Sequence, residues 1–274
     1  MNKLENRMNE LKAAGKKALI AFITAGDPNL DISAELLEVL AENGADVIEL
    51  GVPFSDPLAD GPVLQAAAVR ALVAGTTLAS VFSLAARFCQ KFSTPIVLLA
   101  YYNTIYSKGV EQFCQEAAEA GVSAIVVPDL PYEEAGRLDL AAANSGLINI
   151  RFLAPTTTES RMERICKSSA GFIYCVTVTG VTGERSSIDP GTQMLLTKAR
   201  RYTEVPLALG FGISTPEQAA AAAAAADAVI VGSALVAQLE KIDDPAKKCE
   251  IAGTFISSLK KAIEDGIKDF ASYR

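Results

Sequence analysis

Leu19-Ile20-Ala21-Phe22-Ile23-Thr24-Ala25-Gly26-Asp27-Pro28 decides between two folds. Residues 19–24 are a short apolar run with no polar face, the pattern of a parallel strand covered on both sides. An open doubly wound sheet would carry a glycine-rich fingerprint in the turn after such a strand. Ala25-Gly26-Asp27-Pro28 is not that fingerprint. Seven more short apolar runs follow, at 47–50, 96–100, 124–127, 148–154, 172–176, 207–209 and 228–231. Helical patterns separate them. Residues 30–43 end in Asn43-Gly44, a helix stop, and 110–120 end at Gly121. Residues 131–144 open with Pro131 and the acids Glu133 and Glu134, and Thr215-Pro216-Glu217 opens another helix in the same way. The alanine run 219–226 reads as a closely packed helix. Eight strands alternating with helices predict an α/β fold, one (β/α)8 barrel domain over 1–274. Leu4, Met8 and Leu11 at helical spacing predict an extra N-terminal helix that caps the barrel bottom.

The 274 residues include 25 basic and 32 acidic side chains, a net charge of −7, and mean hydropathy is +0.25. That charge repels phosphate backbones, so nucleic acid is not an expected partner, whereas a small phosphorylated molecule reads local dipoles and stays open. The N-terminal stretch is too charged for a signal peptide, and no apolar run reaches the ~20 residues of a membrane span. A soluble cytoplasmic protein is expected. Five scattered cysteines without a C-x-x-C pair read as free thiols. There is no histidine. A Ser-His-Asp triad, a Cys-His pair and an ordinary zinc site are therefore excluded, and no metal is expected. Acid–base chemistry falls to carboxylates, tyrosine, lysine or cysteine.

Active sites of such barrels lie at the C-terminal strand ends. The second run leads into Glu49-Leu50-Gly51-Val52-Pro53-Phe54-Ser55-Asp56-Pro57-Leu58-Ala59-Asp60-Gly61-Pro62, with three carboxylates and three prolines. Glu49 sits at the strand end against apolar neighbours, where desolvation raises a carboxyl pKa and suits it to proton transfer. Asp60 comes eleven residues later on a loop stiffened by Pro53, Pro57 and Pro62. Plainer readings stand beside these: Glu49 paired with a buried base, Asp60 capping the helix near Pro62, Asp56 a turn residue. Gly210-Phe211-Gly212 follows the seventh run and Gly232-Ser233 opens a helix after the eighth. Together they make a phosphate cradle of backbone N–H groups and a helix dipole, or simply tight turns. Residues 180–190, glycine-hinged and polar, have the makings of a mobile lid or an ordinary surface loop.

The segments at 22–28, 49–62, 101–103, 127–131, 154–157, 180–185, 210–214 and 231–235 together resemble the tryptophan synthase alpha subunit family over essentially the whole chain. The resemblance implies a carbon–carbon lyase that cleaves indole-3-glycerol phosphate to indole and glyceraldehyde 3-phosphate by a retro-aldol step, without metal or organic cofactor. It implies that Glu49 is the acid/base at indole C3 and the glycerol hydroxyl. Asp60 would hold the indole N–H. Phe22, Leu99, Tyr101, Val126 and Tyr174 match the indole pocket. Gly183, Phe211, Gly212, Gly232 and Ser233 match the phosphate site, and Thr182 a lid residue that touches Asp60. Pro53, Asp56, Asn103, Asp129 and Pro131 match the surface facing a pyridoxal-phosphate-bearing beta subunit in an α2β2 complex, to which indole passes. Competing expectations are another phosphate-binding barrel isomerase, a non-enzymatic activator of a beta subunit, and a lyase that releases free indole.

Overall fold

A computed structural model describes residues 2–176, 188–210 and 212–272. Eight parallel strands close into a barrel in chain order. They are β1 (Ala18–Thr24), β2 (Val47–Gly51), β3 (Ile96–Leu99), β4 (Ala124–Val126), β5 (Ile148–Leu153), β6 (Ile173–Val176), β7 (Leu207–Gly210) and β8 (Ala228–Val231). Each pairs with the next, and β8 returns to β1 with Ala18 opposite Ala228. The barrel alternates side chains strictly. Ile20, Val47, Val97, Ala124, Ile150, Tyr174, Ala208 and Ile230 fill the lumen, while Leu19, Ile48, Leu98, Ile125 and Val229 pack outward under the helices. Both faces are largely buried, which is why most strands read as near-continuous apolar runs, with Asn149 and Arg151 of β5 as the main exception.

The described helices are α1 (Lys3–Ala13), α2 (Leu30–Glu42), α3 (Pro62–Val73), α4 (Leu78–Lys91), α5 (Tyr102–Lys108), α6 (Val110–Glu119), α7 (Gly136–Asn144), α8 (Glu159–Lys167), α9 (Pro190–Ala199), α10 (Pro216–Ala225), α11 (Ser233–Glu240) and α12 (Pro245–Ser272). Local signals set their ends. Asn29 caps α2 through Ile32 N–H, Thr215 caps α10 ahead of Pro216, and Gly44 leaves α2 at φ +106°. The alanines of α10 bury Ala219, Ala222 and Ala223, and the helix lies along α12. One expected helix is divided: residues 132–134 form a 3-10 turn after Pro131, and α7 begins only at Gly136, a poor helix former. No single helix among the described residues is long and apolar enough to cross a membrane.

The N-terminal helix closes the bottom of the lumen. Leu4, Met8 and Leu11 are buried among Ala18, Ile20, Val47 and Phe172. One buried carboxylate ties this end together. Asp46, just before β2, is 2% exposed at its side chain and accepts from Leu19 N–H, Arg7 of α1 and Lys260 of α12, each at 2.7 Å. Replacing it by alanine strands two cations and a strand N–H, so Asp46→Ala is expected to cost about 2–4 kcal/mol in urea unfolding. A loss below about 0.5 kcal/mol would show that the clamp is dispensable.

Candidate active site at the barrel mouth

Alternation along β2 sends Val47 and Glu49 inward and Ile48 and Leu50 outward. Glu49 lies between Phe22 of β1 and Val97 of β3 in register. It is 1% exposed, and its Oε2 has no hydrogen-bond partner among the described residues. A pairing with a buried base is not what holds it. Burial, and then the nearby Asp60 charge, push its pKa up to about 8. At neutral pH it is a carboxylic acid with a proton to give.

Asp60 is not a helix cap. Gly61 occupies the cap position of α3 and makes no side-chain cap bond, so the Asp60 carboxyl is left for other contacts. It hydrogen-bonds to Tyr101 while burial raises its pKa. The Tyr101 hydroxyl also accepts from Ala59 N–H at 3.0 Å, and its ring stacks on Phe54 at 5.2 Å. Tyr101 thus grips the Asp60 loop at two points. Its own hydroxyl is pushed to higher pKa by burial and by the Asp60 charge, so it stays a neutral donor.

Phe22, Leu99, Val126 and Tyr174 share the inward face above the lumen core, with Leu99 beside Val126 in register. The structure adds Phe152, which projects inward from β5 and meets Tyr174 at 5.1 Å. Alternation from Ile148 and Ile150 carries that signal in the sequence. Two strand-end glycines have a use beyond turning. A Cβ on Gly51 would stand 2.7 Å from the Phe22 ring, and one on Gly210 would stand 2.6 Å from the Tyr174 hydroxyl. Side chains there would collide with the pocket rings.

Gly232 and Ser233 sit at the start of α11, directly after β8. Gly232 offers no side chain to cap the helix, so its first N–H groups are presented at the mouth. Gly212 is exposed with φ +78°, a conformation glycine takes without strain. Thr182, Gly183 and Phe211 lie outside the described residues. Around the rim Asp56, Asn103, Asp129 and Pro131 are exposed. Asp129 Oδ1 also accepts from Tyr102 N–H at 2.8 Å, next to Tyr101. Pro53 is buried in this chain. The exposed apolar side chains nearest these positions in sequence are Leu58 and Tyr106, 82% and 62% exposed, which the charged and proline signals had obscured. Among the described residues, no group of three or more Cys, Asp or Glu side chains is placed to hold a metal ion.

A neutral buried acid, a second carboxyl held on a loop, an apolar ring-sized pocket and a row of backbone N–H groups suit proton transfer on a flat apolar molecule with an anionic tail. Comparison with known proteins agrees. The family profile described as tryptophan synthase alpha chain matches residues 8–264. The tryptophan synthase alpha chain of Geobacter sp. (strain M21) is 47% identical over 266 residues, covering 97% of this chain and 99% of the relative. That of Trichormus variabilis is 49% identical over 265 residues, covering 96% and 99%. The crystal structure of tryptophan synthase subunit alpha from Legionella pneumophila str. Paris superposes with a TM-score of 0.89 at 37% identity, covering 97% of this chain and 99% of that one.

The raised Glu49 pKa makes a stability prediction. Between about pH 4.5 and 8 the folded chain holds a proton that the unfolded chain releases. Wild-type stability therefore contains a term that is present below about pH 4.5 and is lost as pH rises through 8. Glu49→Gln has no such term. Urea unfolding should show the variant gaining on wild type by about 3–5 kcal/mol at most between pH 5 and pH 9. A pH-independent difference would mean that Glu49 titrates normally.

Proposed function

The chain belongs to the tryptophan synthase alpha chain family, and from that premise we propose that Glu49 and Asp60 are the two carboxyl groups that carry out its reaction. The chain is a carbon–carbon lyase: it performs the alpha reaction of tryptophan biosynthesis, cleavage of indole-3-glycerol phosphate to indole and glyceraldehyde 3-phosphate. The observation that carries the proposal is the burial of Glu49 with no hydrogen-bond partner for Oε2 among the described residues.

The retro-aldol step needs a proton delivered to indole C3 and a proton taken from the glycerol hydroxyl whose carbon becomes the aldehyde. A single carboxyl does both in turn. Neutral Glu49 donates to C3, and the ring becomes a cation centred on its nitrogen. The resulting Glu49 carboxylate, desolvated and so strongly basic, then accepts the hydroxyl proton. The C3–glycerol bond breaks, its electron pair returns to the ring, and indole and the aldehyde form with Glu49 reprotonated. Asp60 accepts the indole N–H and stabilises the cation by charge in a dry site. Tyr101 fixes the Asp60 carboxyl. Phe22, Leu99, Val126, Phe152 and Tyr174 hold the indole ring and keep water out. The phosphate sits on the first N–H groups of α11 at Gly232 and Ser233, with Gly212 as a further backbone contact.

This proton cycle moves no electrons to a carrier, so the reading assigns no cofactor to this chain. The whole chain, 1–274, acts in it as one barrel domain in the cytoplasm. The designation alpha chain implies a beta partner. We assign its docking to Asp56, Asn103, Asp129 and Pro131, with Pro53 shaping that surface from beneath and Leu58 and Tyr106 adding apolar area, in an α2β2 complex whose beta subunit carries pyridoxal phosphate and receives the indole.

Indole release from indole-3-glycerol phosphate, with and without a beta subunit, tests the assignment. Glu49→Gln should lower kcat by about 10²–10⁴-fold, and Asp60→Asn by about 10²-fold or more. The kcat/KM of wild type should decline above pH 8 as free Glu49 loses its proton, and decline at acid pH as Asp60 gains one. Normal turnover by Glu49→Gln would remove Glu49 from the chemistry. A folded wild type that stimulates the beta subunit but releases no indole would instead mark a non-enzymatic activator.

A further inference from the structure

Indole-3-glycerol phosphate has two ends, and in the reading above two different helices receive them. Asp60, two residues before α3, takes the indole N–H. The N-terminus of α11 takes the phosphate. Catalysis needs both contacts at once, so the separation of the two helices is a catalytic dimension.

The far ends of these helices meet at one side chain. Arg70 on the third turn of α3 donates to both oxygens of Asp27, Nε to Oδ1 at 2.7 Å and Nη2 to Oδ2 at 2.8 Å. Its Nη1 donates to Glu240 Oε1 on the last residue of α11 at 2.6 Å. Asp27 lies in the loop after β1, the strand that carries Phe22. The arrangement is bidentate and half-buried, with side-chain exposures of 30% for Arg70, 14% for Asp27 and 40% for Glu240. Such fork-to-fork geometry fixes orientation as well as distance. The last turn of α11 is held a second time, because Lys248, 6% exposed, donates to the Leu239 carbonyl at 2.5 Å.

Apolar packing at that level is interrupted, although Ala71 of α3 and Leu239 of α11 are buried there. A cavity of about 180 Å³ lies between these groups, lined by Asp27, Arg70, Val236, Glu240 and Lys248. The apolar contact between the helices is nearer the mouth, where Ala67 and Val236 pack with Phe22, flanked by Val63 and Leu64. From Pro62 to Arg70, and from Ser233 to Glu240, each helix is a rod of about 12 Å. With the Arg70 pin removed, the far ends rest on Ala71, Leu239 and the Lys248 bond, and the angle between the two helices can relax.

We infer that Arg70 is a positioning residue: by pinning α3 and α11 to each other and to the β1 loop, it sets the distance between the Asp60 carboxyl and the phosphate cradle. The inference rests on the assignment of Asp60 and Ser233 to opposite ends of the substrate. It predicts a defect confined to molecules that span both ends. A general loss of packing would have no such selectivity.

The experiment compares wild type, Arg70→Met, Arg70→Lys and Glu240→Gln. It measures kcat/KM for indole-3-glycerol phosphate and, by calorimetry, the Kd of glycerol 3-phosphate, which occupies the phosphate end alone. Arg70→Met should lose about 10–100-fold in kcat/KM, since a displacement near 1 Å has that effect on rate. Its Kd for glycerol 3-phosphate should stay within about 3-fold of wild type. Arg70→Lys, keeping a charge but not the fork, and Glu240→Gln, releasing only α11, should fall between. Unchanged kcat/KM in Arg70→Met overturns the inference, and so does an equal loss of glycerol 3-phosphate affinity, which would mean a local defect in the cradle. If Arg70→Met does not fold, Glu240→Gln decides alone, a loss of about 3–10-fold supporting the inference and no loss overturning it. Absence of turnover in wild type, or full activity of Asp60→Asn, would refute the underlying assignment instead.

Discussion

A carboxyl group inside the barrel mouth, with one oxygen unpartnered among the described residues, is the constraint from which the rest follows. Glu49 is buried by strand alternation, so its charged form is disfavoured and its proton is retained at neutral pH. A chain without histidine has few other ways to keep a transferable proton. The surroundings conform to that need. Phe22 and Val97 flank Glu49 in register, Gly51 leaves room for the Phe22 ring, and the second acid is placed on a loop so that its own environment differs. Two acids of one residue type's chemistry are separated in role by how each is surrounded.

The two ends of the barrel divide the work. At the bottom, the lumen is sealed by α1 and the charges of Arg7 and Lys260 converge on Asp46, a fully engaged carboxylate. At the top, Glu49 is a carboxyl left disengaged. The residues are only three positions apart, Asp46 just before β2 and Glu49 the third residue of it, yet one stabilises the fold and the other is destabilised by it. The helices at the site continue the same logic. The far ends of α3 and α11 share the ion pairs of Arg70, and the N-terminus of α11 carries no side-chain cap at the mouth.

Much of this was legible in the sequence because barrel strands are short, continuous and buried on both faces. All eight runs became strands with ends shifted by at most a residue or two, and Leu4, Met8 and Leu11 do cap the bottom. Glu49 stood out because an acid in an apolar strand has no structural excuse. What escaped was non-local or masked by a stronger local signal. Asp60 read equally well as a cap, and only the position of Gly61 at the start of α3 separates the two uses. Phe152 lay within a run read as one apolar block, although Asn149 and Arg151 in it mark the opposite face and leave Phe152 inward. The glycines looked like turn and phosphate signals, and their clearance of the Phe22 and Tyr174 rings needs the neighbouring strands to be seen. Arg70 joins residues 43 and 170 positions away, a pairing no local pattern announces.

The most direct test of this account is the protonation state of Glu49 itself. Infrared difference spectra between wild type and Glu49→Gln, taken across a pH series, isolate the carbonyl stretch of that one carboxyl. A neutral-carboxyl band present at pH 7 in wild type, absent in the variant and fading near pH 8, is the predicted result. A carboxylate signature already complete at pH 6 would contradict the account, because an ordinary ionised Glu49 has no proton to give to indole.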